Sequence, residues 1–324
     1  MPSASLSEDS ILACISRYFP QDHPSLLLGR GDDAALLGNG SPLCVSSDLF
    51  LEDIHFRRSY FTPEETGHKA LAVNISDLAA CGAKPLGFTL CLGLPPEITM
   101  PWLEDFFNGM AALAGAQGMA LAGGDLSRCE RLHISITAWG EGGFLSRGAS
   151  LPGDCLFVVG DIGLARVGLR MLEAHGREAL GDWPRACAAH LRPKPRTDAG
   201  LALALAGHNA RPPSLMDVSD GIVRDLPRLL GQGGALGTDV TLPDEMLHPE
   251  VLRYAARYHK NPAQEALLGG EDYALLGTCA PDMLQALEAG IPEFMRIGTV
   301  NEGGSFTCNG EPLDRLRGFD HFET

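Results

Sequence analysis

The sequence predicts an α/β or α+β protein in which mixed sheets pack against helices, divided into two domains. Helical and strand-like hydrophobic patterns alternate along the chain, as they do in folds that combine helices with sheets. The chain has 324 residues, which is long for one domain and suits two. The pattern restarts after a segment rich in Ser, Gly and Pro at 146–153, so we expect domains over 1–147 and 148–324.

In the first predicted domain, two helix starts have the same signal. Ser5 and Glu8 form a capping-box pattern before a helical apolar run. Thr62 and Glu65 repeat it, with proline at the first helical position, and predict a helix that ends near Gly82. The other predicted elements are a helix over 101–117 and strands over 43–45, 88–92, 119–122 and 131–138. The strand over 131–138 alternates apolar and polar residues, which is typical of an antiparallel or mixed sheet.

The second predicted domain alternates in the same way. Its predicted strands cover 156–159, 214–216, 273–276 and 296–300, and its predicted helices cover 163–174, 184–191 and 201–206. Within it, the segment 192–196 alternates basic residues with proline. An extended surface linker is the favoured interpretation of that segment, because proline stiffens the backbone.

The composition limits the expected partners. The chain has 25 Lys and Arg against 41 Asp and Glu, a formal net charge of −16. Nucleic acids and anionic membranes select basic surfaces, so neither is an expected partner. An acidic protein can still bind phosphates when divalent cations lie between the two sets of negative charge.

The nine cysteines include no Cys-x-x-Cys pair, which argues against a zinc site or a disulfide framework. Several lie in apolar runs, such as Cys91 between two leucines, and are expected to be reduced core residues. The N-terminus has no basic region followed by an apolar stretch, and no apolar run approaches the length of a membrane span. We therefore expect a cytoplasmic protein.

Short acidic clusters flanked by Gly or Ser recur along the chain. They lie at 31–35, 46–48, 74–77, 123–125, 217–221 and 269–272. One such cluster is ordinary turn or cap chemistry, but six indicate oxygen ligands for hard cations near backbone N–H groups that bind phosphate. The clusters at 46–48 and 123–125 are expected where strands end.

Two of these clusters raise a specific expectation. Asp77 is predicted late in its helix, where the helix dipole disfavours a carboxylate, so a bound cation nearby would compensate. Asp32 and Asp33 are adjacent, and neighbouring side chains of an extended segment point to opposite sides. Asp32 is therefore expected to be structural.

Motifs for several other chemistries are absent from the sequence. It contains no Walker pattern, no Gly-x-Gly-x-x-Gly that opens a helix after a strand, no protein-kinase signature, no His-Glu-x-x-His and no Gly-x-Ser-x-Gly. The acidic clusters then predict metal-dependent phosphoryl transfer or another nucleotide reaction.

Longer segments of the chain resemble one enzyme family. They are, in order, 31–35, 46–48, 53–56, 69–83, 123–125, 146–147, 217–221, 269–273 and 318–322. Together they extend over nearly the whole chain and resemble the thiamine-monophosphate kinase family. The block at 69–83 and the C-terminal Gly-Phe-Asp-His-Phe are the most specific parts.

The resemblance implies a two-domain fold like those of aminoimidazole ribonucleotide synthetase, hydrogenase maturation factor E and selenophosphate synthetase. It implies that the domain over 1–147 binds ATP and metal, and that the domain over 148–324 completes the active site. The implied reaction is the ATP-dependent phosphorylation of thiamine phosphate to thiamine diphosphate, the last step of thiamine diphosphate biosynthesis. The implied cofactors are several Mg²⁺ ions with ATP as co-substrate, and the implied assembly is a cytoplasmic homodimer.

The resemblance also implies roles for single residues. The positions that match magnesium ligands are Asp33, Ser46, Ser47, Asp48, Asp77, Asp125, Asp217 and Asp220. The positions that match ATP contacts are Gly124, Asp125, Arg147 and Ser219. The positions that match contacts to thiamine phosphate are His55, Glu271 and Phe319. The chain departs from the family at Leu126-Ser127, where the family usually has two threonines, so a hydroxyl contact at 126 is in doubt.

Three of these residues also have simpler explanations. His55 could be an exposed histidine, Arg147 a solvated residue of a linker, and Phe319 packing at the end of the chain. In the implied roles, Arg147 pairs with phosphate through its planar guanidinium group. Phe319 stacks on the cationic thiazolium ring or on the pyrimidine.

The implied acceptor is itself a phosphate whose second pKa is about 6, so it is largely dianionic at neutral pH. Such a nucleophile needs no general base, and we expect direct in-line transfer with no covalent catalytic residue. Two alternatives stay open. One is an ATP-using ligase like aminoimidazole ribonucleotide synthetase, and the other is a non-catalytic nucleotide-binding protein.

Overall fold

The computed structural model describes residues 14–19, 24, 26–28, 36–37, 40, 43–142, 145–231, 234–314, 316 and 318. The chain divides into two compact units. The first comprises Met1–Leu78 and Lys84–Gly142, and the second comprises Ala79–Ala83 and Gly143–Thr324. The division of functional roles at residue 147 stays a prediction.

The first unit contains a four-stranded sheet with helices. Its elements are α1 (14–18), β1 (Leu26–Leu28), β2 (Leu36–Leu37), β3 (Leu43–Leu51), α2 (Pro63–Ala80), β4 (Ala83–Leu94), α3 (Met100–Gln117), β5 (Ala120–Arg128) and β6 (His133–Gly142). The strand order is β3-β6-β4-β5. Because β3 pairs antiparallel with β6 while β4 pairs parallel with β5, the sheet is mixed, as predicted.

Helix α2 begins with the predicted capping box. The backbone N–H of Thr62 donates to Glu65 Oε2 at 2.8 Å, and the N–H of Glu65 donates to Thr62 Oγ1 at 3.2 Å. The two side chains satisfy N–H groups that the first turn leaves unpaired, a contribution of about 1 kcal/mol. The predicted helix ending near Gly82 is confirmed. Ser5 and Glu8, the other predicted capping box, lie outside the described residues.

Helices α2 and α3 cross in backbone contact. A Cβ added at Gly67 would lie 2.0 Å from the carbonyl oxygen of Phe106, and one at Gly109 would lie 2.0 Å from that of Glu64. Any side chain at either position would force the helices apart. The two glycines therefore fix the position of α2 relative to α3.

Helix α3 also packs towards the sheet through aromatic rings. Phe107 of α3 meets Phe19 edge-on with 6.4 Å between ring centroids, and Phe19 meets Phe88 of β4 in the same way at 5.9 Å. All three side chains are buried. One face of the sheet is thus covered by helices.

The two acidic segments expected at strand ends lie inside strands, so that prediction was wrong. Antiparallel pairing of β3 with β6 continues past Asp48 to the pair Leu51 and His133. Pairing of β5 with β4 continues through Gly124, where a Cβ would lie 1.7 Å from the carbonyl oxygen of Leu90. Glycine allows this close approach, so the ladder does not end there.

The second unit contains a seven-stranded sheet and the remaining helices. Its elements are β7 (Cys155–Val159), α4 (Leu164–His175), α5 (Ala179–Asp182), α6 (Pro184–Leu191), α7 (Thr197–Ala206), β8 (Ser214–Asp217), α8 (Ile222–Leu230), β9 (Leu236–Val240), α9 (Pro249–Tyr258), α10 (Pro262–Leu267), β10 (Leu275–Cys279), α11 (Leu284–Gly290), β11 (Phe294–Glu302), β12 (Phe306–Cys308) and β13 (Glu311–Pro312). The strand order is β13-β12-β9-β11-β7-β10-β8. The pairing is antiparallel except between β12 and β9, which are parallel.

The short segment 79–83 belongs to the core of the second unit. Ala79 and Ala80 are buried with residues of β7, α7 and β10. A Cβ at Gly200 would lie 2.0 Å from the carbonyl oxygen of Ala79. Gly82, in the left-handed conformation with φ +67°, comes so close to Ala204 that a Cβ would lie 2.8 Å from its side chain. The end of α2 is therefore an integral part of this core.

All nine cysteines are free; five of them are buried, three are half-buried and Cys91 is exposed. The predicted core position is therefore confirmed for the five buried cysteines and was wrong for Cys91. Strand β4 alternates buried and exposed residues at this point, so Cys91 points away from its buried neighbours. Within the described residues, no helix combines the length and apolar composition that crossing a bilayer requires.

Candidate functional site

A pair of carboxylates lies in the first unit where β3 meets α2. Asp48 is in β3 and Asp77 is in the last turn of α2. Burial, together with the charge of Asp77 and a hydrogen bond to it, raises the pKa of Asp48 to about 7. Ser46 Oγ donates a hydrogen bond to Asp77 Oδ2. The prediction that Asp77 falls late in its helix is confirmed.

The three side chains fit a hard divalent cation. Two unit charges of the same sign about 4 Å apart repel by roughly 4 kcal/mol at an effective dielectric constant near 20. A magnesium ion between them would replace that repulsion with attraction and let both carboxylates stay ionised. The oxygen ligands at this place are two carboxylates, of Asp48 and Asp77, and the hydroxyl of Ser46. A cluster of three or more His, Cys, Asp or Glu side chains that could hold a metal ion is not found among the described residues.

The structure does not bring Ser47 and Asp125 to this pair. Successive residues of a strand point to opposite faces, and Ser47 Oγ lies 2.9 Å from Thr137 Oγ1 on β6. Asp125 is exposed on β5, the other edge strand of the sheet. Three strand spacings of about 4.8 Å separate β5 from β3, a distance of about 14 Å. The roles of Ser47 and Asp125 as magnesium ligands stay predictions.

His55 lies in the turn after β3, where its ring is held on two sides. The backbone N–H of Leu51 donates to His55 Nδ1 at 3.0 Å. The ring stacks on Phe50 with 5.9 Å between centroids. Because Nδ1 accepts a hydrogen bond, a neutral imidazole must carry its proton on Nε2. His55 is thus a half-buried donor whose orientation is fixed, not a freely solvated side chain.

In the second unit, the structure brings two predicted segments together. Strand β8 ends at Asp217, which is buried, and α8 begins directly after Gly221. The N–H of Glu271 donates to the carbonyl oxygen of Ser219 at 2.9 Å, and that of Tyr273 donates to Val218 at 3.0 Å. The segments 217–221 and 269–273 therefore lie side by side, although about 50 residues separate them in the chain.

Asp220 is part of an ion-pair network with α8. Its Oδ2 accepts a hydrogen bond from Arg228 Nη1 at 2.7 Å and lies 3.7 Å from Arg224 Nε. Arg228 also donates to Asp225 Oδ1 at 3.1 Å, and Asp225 Oδ2 accepts the backbone N–H of Asp220. Burial and the charge of Asp220 raise the pKa of Asp225 to about 6. The charge on Asp220 is thus balanced from within the protein.

The second predicted segment is held by two contacts that the sequence did not suggest. Asp272 accepts the backbone N–H groups of Gly163 at 2.6 Å and Ala165 at 2.8 Å, which caps the start of α4. Glu271 Oε2 lies 3.1 Å from Nδ1 of His190, a buried residue of α6. Asp225, Arg228 and His190 are therefore residues of this site that sequence reasoning missed.

Arg147 lies in the second unit between two residues that contact β8 and the last turn of α8. It is exposed in a turn that is anchored by a hydrogen bond from the N–H of Gly148 to the carbonyl oxygen of Leu229 at 2.8 Å. Ser146, the residue before Arg147, pairs with Ser214 at the start of β8, whereas Asp217 is at the end of that strand. The role of Arg147 as an ATP contact stays a prediction.

Three predicted residues lie outside the described residues, namely Asp32, Asp33 and Phe319. The neighbour of Phe319, Gly318, packs on the acidic segment of the second unit. A Cβ at Gly318 would lie 2.9 Å from the carbonyl oxygen of Asp220 and 2.8 Å from Cβ of Arg224. The chain therefore reaches Asp220 one residue before Phe319.

Comparison with known proteins identifies relatives over the full length of the chain. Residues 31–141 match the family described as AIR synthase related protein, N-terminal domain. A protein from Synechococcus elongatus named thiamine-monophosphate kinase is 34% identical, and the match covers 98% of this chain and 97% of that protein.

Two solved structures are similar as well. The crystal structure of thiamine-monophosphate kinase from Stenotrophomonas maltophilia K279a has a TM-score of 0.81 and 34% identity, and the match covers 95% of this chain and 98% of that chain. A structure of AaThiL complexed with AMPPCP and TMP has a TM-score of 0.78 and 29% identity, and the match covers 99% of this chain and all of that one. The predicted fold, related to that of aminoimidazole ribonucleotide synthetase, is confirmed.

Proposed function

The chain belongs to the thiamine-monophosphate kinase family, and from that premise we propose that it transfers the γ-phosphate of ATP to thiamine monophosphate. The products are thiamine diphosphate and ADP. The observation that carries this proposal is the similarity over the full length, 98% of this chain and 97% of a relative with that name. A similar structure holds AMPPCP, an analogue of ATP, together with TMP, which is the substrate pair that the reaction requires.

The transfer proceeds in a single step. A phosphate oxygen of thiamine monophosphate attacks the γ-phosphorus of ATP, and the bond to the oxygen that bridges the β- and γ-phosphates breaks as ADP leaves. The acceptor phosphate has a second pKa of about 6 and is largely ionised at pH 7, so no side chain has to remove a proton. The protein has to position two anionic groups in line and to reduce their repulsion.

Magnesium, when bound, would neutralise the charge that the two phosphates bring together. In the first unit, Ser46, Asp48 and Asp77 are the side chains that would hold such an ion, since two carboxylates and a hydroxyl meet there. We assign the same task to Asp33, Ser47, Asp125, Asp217 and Asp220. At Asp220 a cation would have to share the carboxylate with Arg228.

The remaining site residues divide between the two substrates. We assign Gly124, Asp125, Arg147 and Ser219 to ATP, and His55, Glu271 and Phe319 to thiamine monophosphate. Two observations support the assignments to thiamine monophosphate. His55 is held in one orientation by Leu51 and Phe50, and the carboxylate of Glu271 lies against His190 while part of it stays exposed to solvent.

We further propose that the protein is a homodimer of the cytoplasm with neither nucleic acid nor membrane as a partner. The net charge of −16 supports the last point. The edge strand β3 supports the dimer, because Val45 and Leu49 on it are 64% and 60% exposed. Within the described part of the chain β3 is an edge strand, and exposed apolar side chains on an edge strand favour association with another chain.

The function is tested by incubating the purified protein with ATP, thiamine monophosphate and MgCl₂. Thiamine diphosphate is then measured by chromatography after conversion to its fluorescent thiochrome derivative. We expect product only when all three components are present, and none when unphosphorylated thiamine replaces the monophosphate. Absence of product would overturn the proposal. Formation of aminoimidazole ribonucleotide from an ATP-dependent substrate panel would favour the ligase, and nucleotide binding without turnover would favour the non-catalytic alternative.

A further inference from the structure

The backbone of Glu271 is held in an unusual conformation. Its φ is +66°, which is uncommon for residues with a side chain and persists where the surroundings determine it. Its N–H donates to Ser219 at 2.9 Å. The preceding Gly270 is so close to the same carbonyl oxygen that a Cβ there would lie 2.7 Å from it. The fold thus places Glu271 at one defined position beside Ser219.

The side chain of Glu271 is held by a histidine from a distant part of the chain. His190 is the next-to-last residue of α6, and its side chain is 1% exposed, whereas that of Glu271 is 23% exposed. Its Nδ1 lies 3.1 Å from Glu271 Oε2. Because an ionised carboxylate only accepts hydrogen bonds, Nδ1 is the donor. The buried imidazole therefore limits the rotation of a carboxylate that solvent can reach.

We propose that His190 is a positioning residue that aims the carboxylate of Glu271 at the acceptor substrate. This inference rests on the proposed function, in which Glu271 contacts thiamine monophosphate. That acceptor has a cationic thiazolium ring and an amino group on its pyrimidine. A carboxylate has about four lone-pair sites, so Glu271 can accept from His190 and still interact with either group. The thiazolium cation has no counterpart in ATP, so the contact between His190 and Glu271 should affect the acceptor more than the nucleotide.

The inference makes a specific prediction for the kinetics. Loss of the hydrogen bond from Nδ1 should weaken the restraint on the Glu271 carboxylate, so that it points at the acceptor for less of the time. The KM for thiamine monophosphate should then rise about tenfold, in keeping with a hydrogen bond to a charged group. The KM for ATP should stay within about twofold, since the contact does not involve the nucleotide. A role only in packing would affect both substrates alike.

The test compares His190→Asn with His190→Leu. Asparagine and leucine have nearly the same shape, so each leaves a similar gap at this buried position. The amide nitrogen of asparagine takes the place of Nδ1 and can still donate to Glu271, whereas leucine cannot. Both variants are assayed for KM of each substrate, kcat and Tm. We expect His190→Asn to stay within about threefold of the wild-type KM for thiamine monophosphate and His190→Leu to show the tenfold increase.

Equal KM values for thiamine monophosphate in the two variants would overturn the inference, and so would an equal increase for both substrates. If His190→Leu does not fold, His190→Gln takes its place, because its amide nitrogen reaches the position of Nε2 instead of Nδ1. The inference then requires a higher KM in His190→Gln than in His190→Asn. A wild-type protein that makes no thiamine diphosphate would instead refute the proposed function, so the two failures are distinct.

Discussion

The backbone contact between α2 and α3 makes Gly109→Ala a sharp test of the structure. The new Cβ would lie 2.0 Å from the carbonyl oxygen of Glu64, whereas ordinary contacts begin at 3.4 Å. The helices must therefore separate by about 1.4 Å, the difference between these two distances. Adding a methyl group to a well-packed core costs about 1–3 kcal/mol. This value belongs at the upper end, because the obstacle is backbone and cannot rotate away.

Helix propensity acts in the opposite direction. Alanine is favoured over glycine within a helix by about 1 kcal/mol, so the net loss of stability for Gly109→Ala is about 2 kcal/mol. For a domain of about 150 residues that loss corresponds to a Tm lower by about 4–8 °C. The free energy of unfolding is measured by urea titration followed by circular dichroism, and Tm by a thermal melt.

Gly115→Ala is the matched control, because Gly115 lies in the same helix with nothing within 4 Å of its added Cβ. This variant should be more stable than wild type by about 0.5–1 kcal/mol. Opposite signs for the two substitutions would confirm the tight crossing. If Gly109→Ala is as stable as Gly115→Ala, the two helices do not touch at this point and the reasoning is refuted.

The same substitution should affect activity. Helix α2 carries Asp77, which meets Asp48 of β3, so a shift of α2 by about 1 Å alters the carboxylate pair. Misplacement of this size can lower a rate about a hundredfold. We expect kcat to fall at temperatures well below the Tm of Gly109→Ala, while Gly115→Ala keeps the wild-type value.

Asp77→Asn should lower kcat at least a hundredfold, because it removes a proposed magnesium ligand, while its Tm without magnesium stays within a few degrees of the wild-type value. The control is Asp105→Asn on the exposed side of α3, and normal turnover in Asp77→Asn would contradict the proposed site. Phe319→Ala should raise the KM for thiamine monophosphate about tenfold through loss of aromatic stacking, with the KM for ATP unchanged; equal effects on both would assign Phe319 to general packing. Transfer from ATP that is chiral at the γ-phosphorus should proceed with inversion, and no label should remain on the protein when acceptor is omitted; net retention would require a phosphoenzyme.

Local sequence signals were sufficient where one segment determines its own structure. The capping pattern at Thr62 and Glu65 predicted the start of α2, and the late position of Asp77 in that helix followed from it. The alternating pattern over 131–138 predicted a strand of a mixed sheet, which is β6. In each case the interactions that decide the structure lie within a few residues of one another.

Sequence signals failed where distant residues decide the structure. The strand that contains Ser46 and Asp48 continues to Leu51, because β6 pairs with it over its whole length. The residues around position 48 do not indicate this pairing, since it depends on a partner strand far along the chain. The sequence patterns also predicted none of α8, α9 and α10, but here local signals were present: Asn261 caps α10, and proline is at the first helical position of both α9 and α10. The contact between His190 and Glu271 joins residues 81 positions apart, so only the folded chain reveals it.

The inclusion of 79–83 in the second unit has a consequence for how the protein is made. These residues leave the ribosome early, but Ala204, which Gly82 contacts, is added 122 residues later. Because translation adds about 5–20 residues per second, the end of α2 is made about 6–25 s before the residues against which it packs. A gene cut between 142 and 143 would therefore encode a C-terminal fragment without part of its own core. Any attempt to express the two halves separately would have to supply 79–83 to the second half as well.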